Sequence, residues 1–86
     1  MEKHMTALRF LVAAGWSGTP LGDVRDPDAL LYVRRLGAIA DAVLVLGPEE
    51  AEAKRMIDGR VTWHISGSVA EVVDAVLELP HLLVAG

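Results

Sequence analysis

The sequence predicts a small α/β domain, Rossmann-like or flavodoxin-like, in the order β-α-β-α-β-α-β with a four-stranded, mainly parallel sheet. Three observations lead there. Four short aliphatic runs, at 8–14, 42–46, 61–66 and 82–85, are each bounded by glycine. The segments between them carry helix start and stop residues. Strands that alternate with helices pair in parallel through right-handed crossovers.

Taken in order, residues 1–6 read as a tail, with Met5 as good a start as Met1, and residues 7–86 as a single α/β domain. The first strand, 8–14, runs into the glycine-rich stretch AAGWSGTPLGD. The first helix is expected from Asp26, an N-cap residue followed by Pro27 at the favoured first position and Asp28 in the positive first turn. Gly37 weakens its end, near Ala40. After the second strand, 42–46, Gly47 and Pro48 mark the next helix start. Glu50 and Lys54 stand four apart in the orientation that supports a helix, and Asp58-Gly59 stops it.

In the third strand, 61–66, Val61, Trp63 and Ile65 alternate with Thr62, His64 and Ser66. That half-polar pattern belongs to an edge strand or to a less covered face. The third helix has the clearest signature: Ser68 and Glu71 fit a capping box. Val69, Val72, Val73, Val76 and Leu77 form an apolar stripe opposite Glu71, Asp74 and Glu78, and Pro80 closes the helix.

Composition narrows the function classes. The chain has 86 residues, enough for one domain. Hydrophobic residues make up 52% and the mean hydropathy is +0.37, so three helices leave apolar sheet surface uncovered and a homo-oligomer is expected. Eight Lys and Arg against twelve Asp and Glu give a net charge of −4. No basic cluster exceeds Arg34-Arg35, which argues against nucleic acid as a partner. Cysteine is absent, which excludes disulfides, thiolate metal sites and thiol catalysis. No apolar run spans a bilayer and no signal peptide is evident, so no membrane partner and a cytoplasmic location are expected. His4, His64 and His81 lack metal-binding spacing, so no metal site is expected and no cofactor is indicated.

In an open parallel sheet, ligands bind beyond the carboxyl ends of the strands. Gly15, Gly47, Gly67 and Gly86 each follow a predicted strand and are expected to share that rim. The candidate ligand-binding residues are Gly15, Trp16, Ser17, Gly18 and Thr19 in the first loop, Gly47, and Gly67 with Ser68 at a helix N-terminus. Trp16 is expected to be partly exposed there, where an indole can stack on a base. The spacing fits neither the Walker A loop nor the dinucleotide fingerprint. Asp23, Glu49, Glu50 and the chain-terminal carboxylate outweigh Arg25 nearby, which favours a neutral base, nucleoside or monophosphate over a polyphosphate. His64 is a candidate acid or base toward the rim.

A glycine-bearing first loop, the strand ADAVLVL and glutamates on the second helix expected after it resemble, in outline, the nucleoside 2-deoxyribosyltransferase-like proteins. That resemblance implies a glutamate nucleophile, and the matching positions are Glu49, Glu50 and Glu52. Three functions follow: a self-associating domain holding a nucleotide-like or other small polar ligand at the glycine rim, a nucleoside-processing enzyme, and a ligand-free protein-interaction module.

Overall fold

The computed structural model describes residues 3–23 and 25–80. Their elements are α1 (Lys3–Ala13), β1 (Ser17–Gly22), β2 (Pro27–Leu36), β3 (Ile39–Gly47), β4 (Glu50–Ile57), β5 (Arg60–Gly67) and α2 (Val69–Leu77). The five strands form one sheet in sequence order, β1-β2-β3-β4-β5, and every neighbouring pair is antiparallel. This overturns the expected Rossmann-like fold and its parallel sheet. The segment 8–14 is helical, 26–40 is mostly β2, and the expected second helix is β4. The fourth predicted strand, 82–85, lies outside the described residues.

The turns explain the difference. Asp58 and Gly59 have φ of 52° and 80° and join Ile57 to its cross-strand partner Arg60. Two positive φ angles at an Asp-Gly pair are what a type I′ hairpin turn requires. The pair therefore connects two strands instead of stopping a helix. Gly37, at φ 63°, holds the first central position of the two-residue turn between Leu36 and Ile39, where a type II′ turn calls for glycine. Gly47 and Glu50 pair across the third two-residue connection, Pro48-Glu49. Loops this short can join only antiparallel strands.

The stretch AAGW is a helix end. Gly15 takes φ 94°, its N–H donates to the Val12 carbonyl, and the Trp16 N–H donates to the Leu11 carbonyl, both at 3.0 Å. These two bonds define a Schellman motif. Leu11 and Trp16, the hydrophobic pair that accompanies such a cap, are both buried in the core. At the other helix the capping box forms as expected: the Glu71 N–H donates to Ser68 Oγ at 3.2 Å and the Ser68 N–H to Glu71 Oε1 at 3.1 Å. The hydrogen bonds from Ser68 hold the Glu71 carboxyl below its ordinary pKa.

Both helices cover the same face of the sheet. Helix α2 packs against α1 and against β3, β4 and β5. Val69, Val72, Val73 and Val76 of α2 meet Ala7, Leu8 and Leu11 of α1 and Val43, Val45, Ala51 and Ala53 of the sheet in one core, which Trp16 completes. Strand β1, SGTPLG, is exposed throughout and carries Pro20, as an edge strand tolerates. Strand β5 forms the opposite edge, in agreement with its half-polar pattern. The register shift between Arg55 and Met56 places Val61 opposite Met56 and Trp63 opposite Arg55. Thr62 is therefore the bulged residue, and its hydroxyl donates to the Arg55 carbonyl at 3.3 Å. The bulge removes Val61 from the face shared by Trp63 and Ile65.

Candidate functional site

An antiparallel sheet has no common carboxyl rim, and the predicted site residues are dispersed accordingly. Gly15 and Trp16 precede β1, whereas Gly47 and Gly67 close β3 and β5 at the opposite end of the sheet. Gly86 lies outside the described residues. Ser17, Gly18 and Thr19 are in β1, where Gly18 packs under Tyr32: a Cβ there would come within 2.7 Å of the Tyr32 ring. Trp16 is 3% exposed and belongs to the core, which corrects its expected exposure. Once the Schellman cap buries it against Leu11, the indole has no route to the surface. At Ser68 the N–H groups an anion would need are already engaged, that of Ser68 by Glu71 and that of Val69 by the Pro48 carbonyl at 3.0 Å. Glu49 and Glu50 sit at the β3–β4 turn and Glu52 in β4, none of them on a helix.

Two of the candidates do come together. Glu52 and His64 line an open groove of about 590 Å3 with Leu31, Ala42, Leu44, Lys54, Val61 and Ser66. The groove lies on the sheet face turned away from both helices. Side chains alternate along each strand, and the register assigns the faces. Val43, Ala53 and Ile65 stand in one row beneath the helices, so the neighbouring row, Ala42, Lys54 and His64, faces outward.

Extending the register across the sheet gives two central outward rows. One runs Ser17, Val33, Ala42, Lys54, His64, and the next runs Thr19, Leu31, Leu44, Glu52, Ser66. The middle of this face is apolar, contributed by β2 and β3, and one flank is charged. A sheet face left to water normally carries polar side chains at alternate positions. Here the central outward positions of β2 and β3, Leu31, Val33, Ala42 and Leu44, are all apolar.

The same alternation builds a buried polar row beneath the helices. Arg34, Asp41, Arg55 and Trp63 are cross-strand neighbours in succession, and Trp16, just before β1, lies against Arg34 at the end of the row. Asp41 is fully buried. It accepts from Arg55 Nε at 2.7 Å and Nη2 at 2.9 Å, and from Arg34 Nη2 at 3.0 Å. Burial pushes the Asp41 carboxyl up, but the hydrogen bonds from Arg55 and Arg34 and their charges outweigh it, so its pKa lies below the ordinary value. The bond to Asp41 raises Arg55 in turn, against the opposing effect of burial. Arg55 Nη1 also donates to the Pro80 carbonyl at 2.7 Å, which fastens the segment following α2 to the sheet. This row is a structural brace: the carboxylate's partners are fixed by Arg34 and Arg55, and the whole group is shielded from solvent. Burial also raises the Tyr32 hydroxyl in the adjacent row.

Among the described residues no group of three His, Asp or Glu side chains is placed to hold a metal ion, and no helix is long and apolar enough to cross a membrane. No known family matches the chain, and no curated protein or solved structure shows significant similarity to it.

Proposed function

We propose that this protein is a self-associating module whose working surface is the uncovered face of the sheet. The observation that carries this reading is the apolar centre of that face, where Leu31, Val33, Ala42 and Leu44 occupy positions an isolated sheet would give to polar residues. These side chains are already half-buried in the single chain, so covering the centre adds a part of the roughly 1.5–3 kcal/mol that full burial of a leucine or valine is worth. A second sheet is the natural cover, because two sheet faces stack about 10 Å apart with their side chains interdigitated.

Sedimentation of the wild-type chain and two variants tests this. The wild type is expected at twice the 9.2 kDa chain mass. Leu44→Lys, which sets a cation in the apolar centre beside its cross-strand neighbour Glu52, is expected to sediment as the single chain with its circular dichroism unchanged. Phe10→Ser alters an exposed apolar residue on α1, away from the sheet, and is expected to leave assembly intact. Dissociation by Phe10→Ser with no effect of Leu44→Lys would transfer the contact to the helical side and refute the reading.

A small polar ligand is a second reading, supported by the groove itself. Its volume of about 590 Å3 lies in the range of about 300–1,000 Å3 common for ligand sites, and Glu52, Lys54, His64 and Ser66 converge on one wall. A wild-type monomer whose melting temperature rises with a nucleoside or other polar metabolite would favour this reading over self-association.

A further inference from the structure

The charged flank of the open face selects how a second copy sits on it. Glu52 and Lys54 are two apart on β4, so both project from the open face, about 6.8 Å apart along the strand. Both are exposed, and among the described residues neither takes part in an ion pair. Two sheet faces can be related by a two-fold axis lying between them, either along the strands or across them.

An axis along the strands and centred on β3 sets β4 over the partner's β2. It buries Glu52 and Lys54 against Leu31 and Val33 with no opposite charge, an arrangement that costs several kcal/mol for a desolvated ion. An axis across the strands sets β4 over the partner's β4, running in the opposite direction. Placed between the two central rows, it lays Lys54 over the partner's Glu52 and Glu52 over the partner's Lys54. The same operation sets Ala42 over the partner's Leu44, small against large, and Val33 over the partner's Leu31. Moving the axis onto the Lys54 row instead brings Lys54 over its own copy, which is repulsive.

Resting on the self-association reading, we infer that the partner is a second copy of this chain held by a two-fold axis across the strands, with reciprocal Lys54–Glu52 pairs fixing the register. The self-complementarity belongs to this axis because a two-fold contact must match a patch to itself. The roughly 30° offset between stacked sheets displaces β4 from its copy by a few ångströms, which the flexible lysine and glutamate side chains span. Charge pairing then rejects other apolar surfaces and other registers, a role polar interface groups commonly fill.

Charge reversal tests the register. Lys54→Glu alone and Glu52→Lys alone each turn both pairs into repulsions, and each is expected to weaken self-association about tenfold or more. Mixed in equal amounts the two variants are expected to form a heterodimer, visible as the mixed mass by native mass spectrometry. The chain carrying both reversals is expected to dimerise like the wild type. Recovery in the mixture also shows that both single variants are folded. Single reversals that dimerise as well as the wild type, or a mixture that fails to recover, would overturn the register while Leu44→Lys still reports on self-association. A wild-type chain that stays monomeric would overturn both.

Discussion

The guanidinium carbon of Arg34 lies 4.9 Å from the centroid of the Trp16 indole, inside the protein. Both residues are nearly inaccessible, at 6% and 3% exposure. The contact places a cation over an aromatic face where little water competes, an arrangement worth about 2 kcal/mol when desolvated. Trp16 thus closes one end of the buried polar row while also sealing the helix α1 cap.

Trp16→Ala is therefore expected to lower unfolding free energy by about 3–5 kcal/mol, as truncation of a buried aromatic does. Trp16→Phe keeps a ring over Arg34. It also removes the indole Nε1, which is buried with no hydrogen-bond partner, and this offsets part of the packing lost with the smaller ring, so the expected cost is less than that of Trp16→Ala. Denaturant melts of the two variants are the measurement. A Trp16→Ala variant as stable as the wild type would contradict the burial.

Gly59 carries the turn that corrects the fold. Its φ is 80° and an added Cβ would meet nothing within 4 Å, so a substitution there acts through the backbone alone. Gly59→Ala is expected to cost about 1–2 kcal/mol, the penalty for an L-residue at positive φ. Asp58→Gly is expected to be tolerated, because Asp58 already sits at φ 52°. Equal losses for the two substitutions, measured by thermal melts, would mean that side-chain contacts dominate this turn.

How much of this was legible depends on the segment. Ser68 and Glu71 announced helix α2 because a capping box is local chemistry between residues three apart. The alternation of Trp63 and Ile65 with His64 and Ser66 announced β5 for the same reason. Strand β4, EAEAKRMI, alternates too, with Ala51, Ala53 and Arg55 buried and Glu50, Glu52 and Lys54 exposed. Its inward positions here are two small residues and an arginine, however, and a buried Arg55 is tolerable because Asp41 across the sheet and the Pro80 carbonyl accept its hydrogen bonds. Glu50 and Lys54 imitated a helical pair, yet on a strand they stand about 13 Å apart. Strand β2 runs through the consecutive residues Ala29 to Val33 and then Arg34-Arg35, a succession with no period of two to read. Uncovered apolar sheet surface was expected from composition, but its residues were not readable, because only the antiparallel register brings Leu31, Leu44 and Glu52 side by side.

Ser68→Ala removes the acceptor for the Glu71 N–H and disrupts the capping box. The expected loss is about 1 kcal/mol. Ser68→Asp restores an acceptor at the same place and is expected to recover most of it, although the added carboxylate lies near Glu71. Thermal melts in moderate salt, where repulsion between the two carboxylates is screened, separate the cap from the charge.

Asp41 makes stability depend on acid. Its folded pKa is depressed, whereas in the unfolded chain the carboxyl titrates near the ordinary value of about 3.9. The ionised form is therefore the one the fold favours, and its contribution is fully present above about pH 4. It is lost progressively as pH falls toward and through the folded pKa. Asp41→Asn leaves two buried guanidinium groups without their counter-charge and is expected to cost about 3–5 kcal/mol at neutral pH. The gap between wild type and variant is expected to narrow as pH drops below about 4, because protonation removes the same charge from the wild-type carboxyl. Urea melts of both proteins across the acid range measure that gap directly. A difference that stays constant down to strongly acid pH would show that Asp41 contributes through shape and hydrogen bonding, with its charge of no consequence.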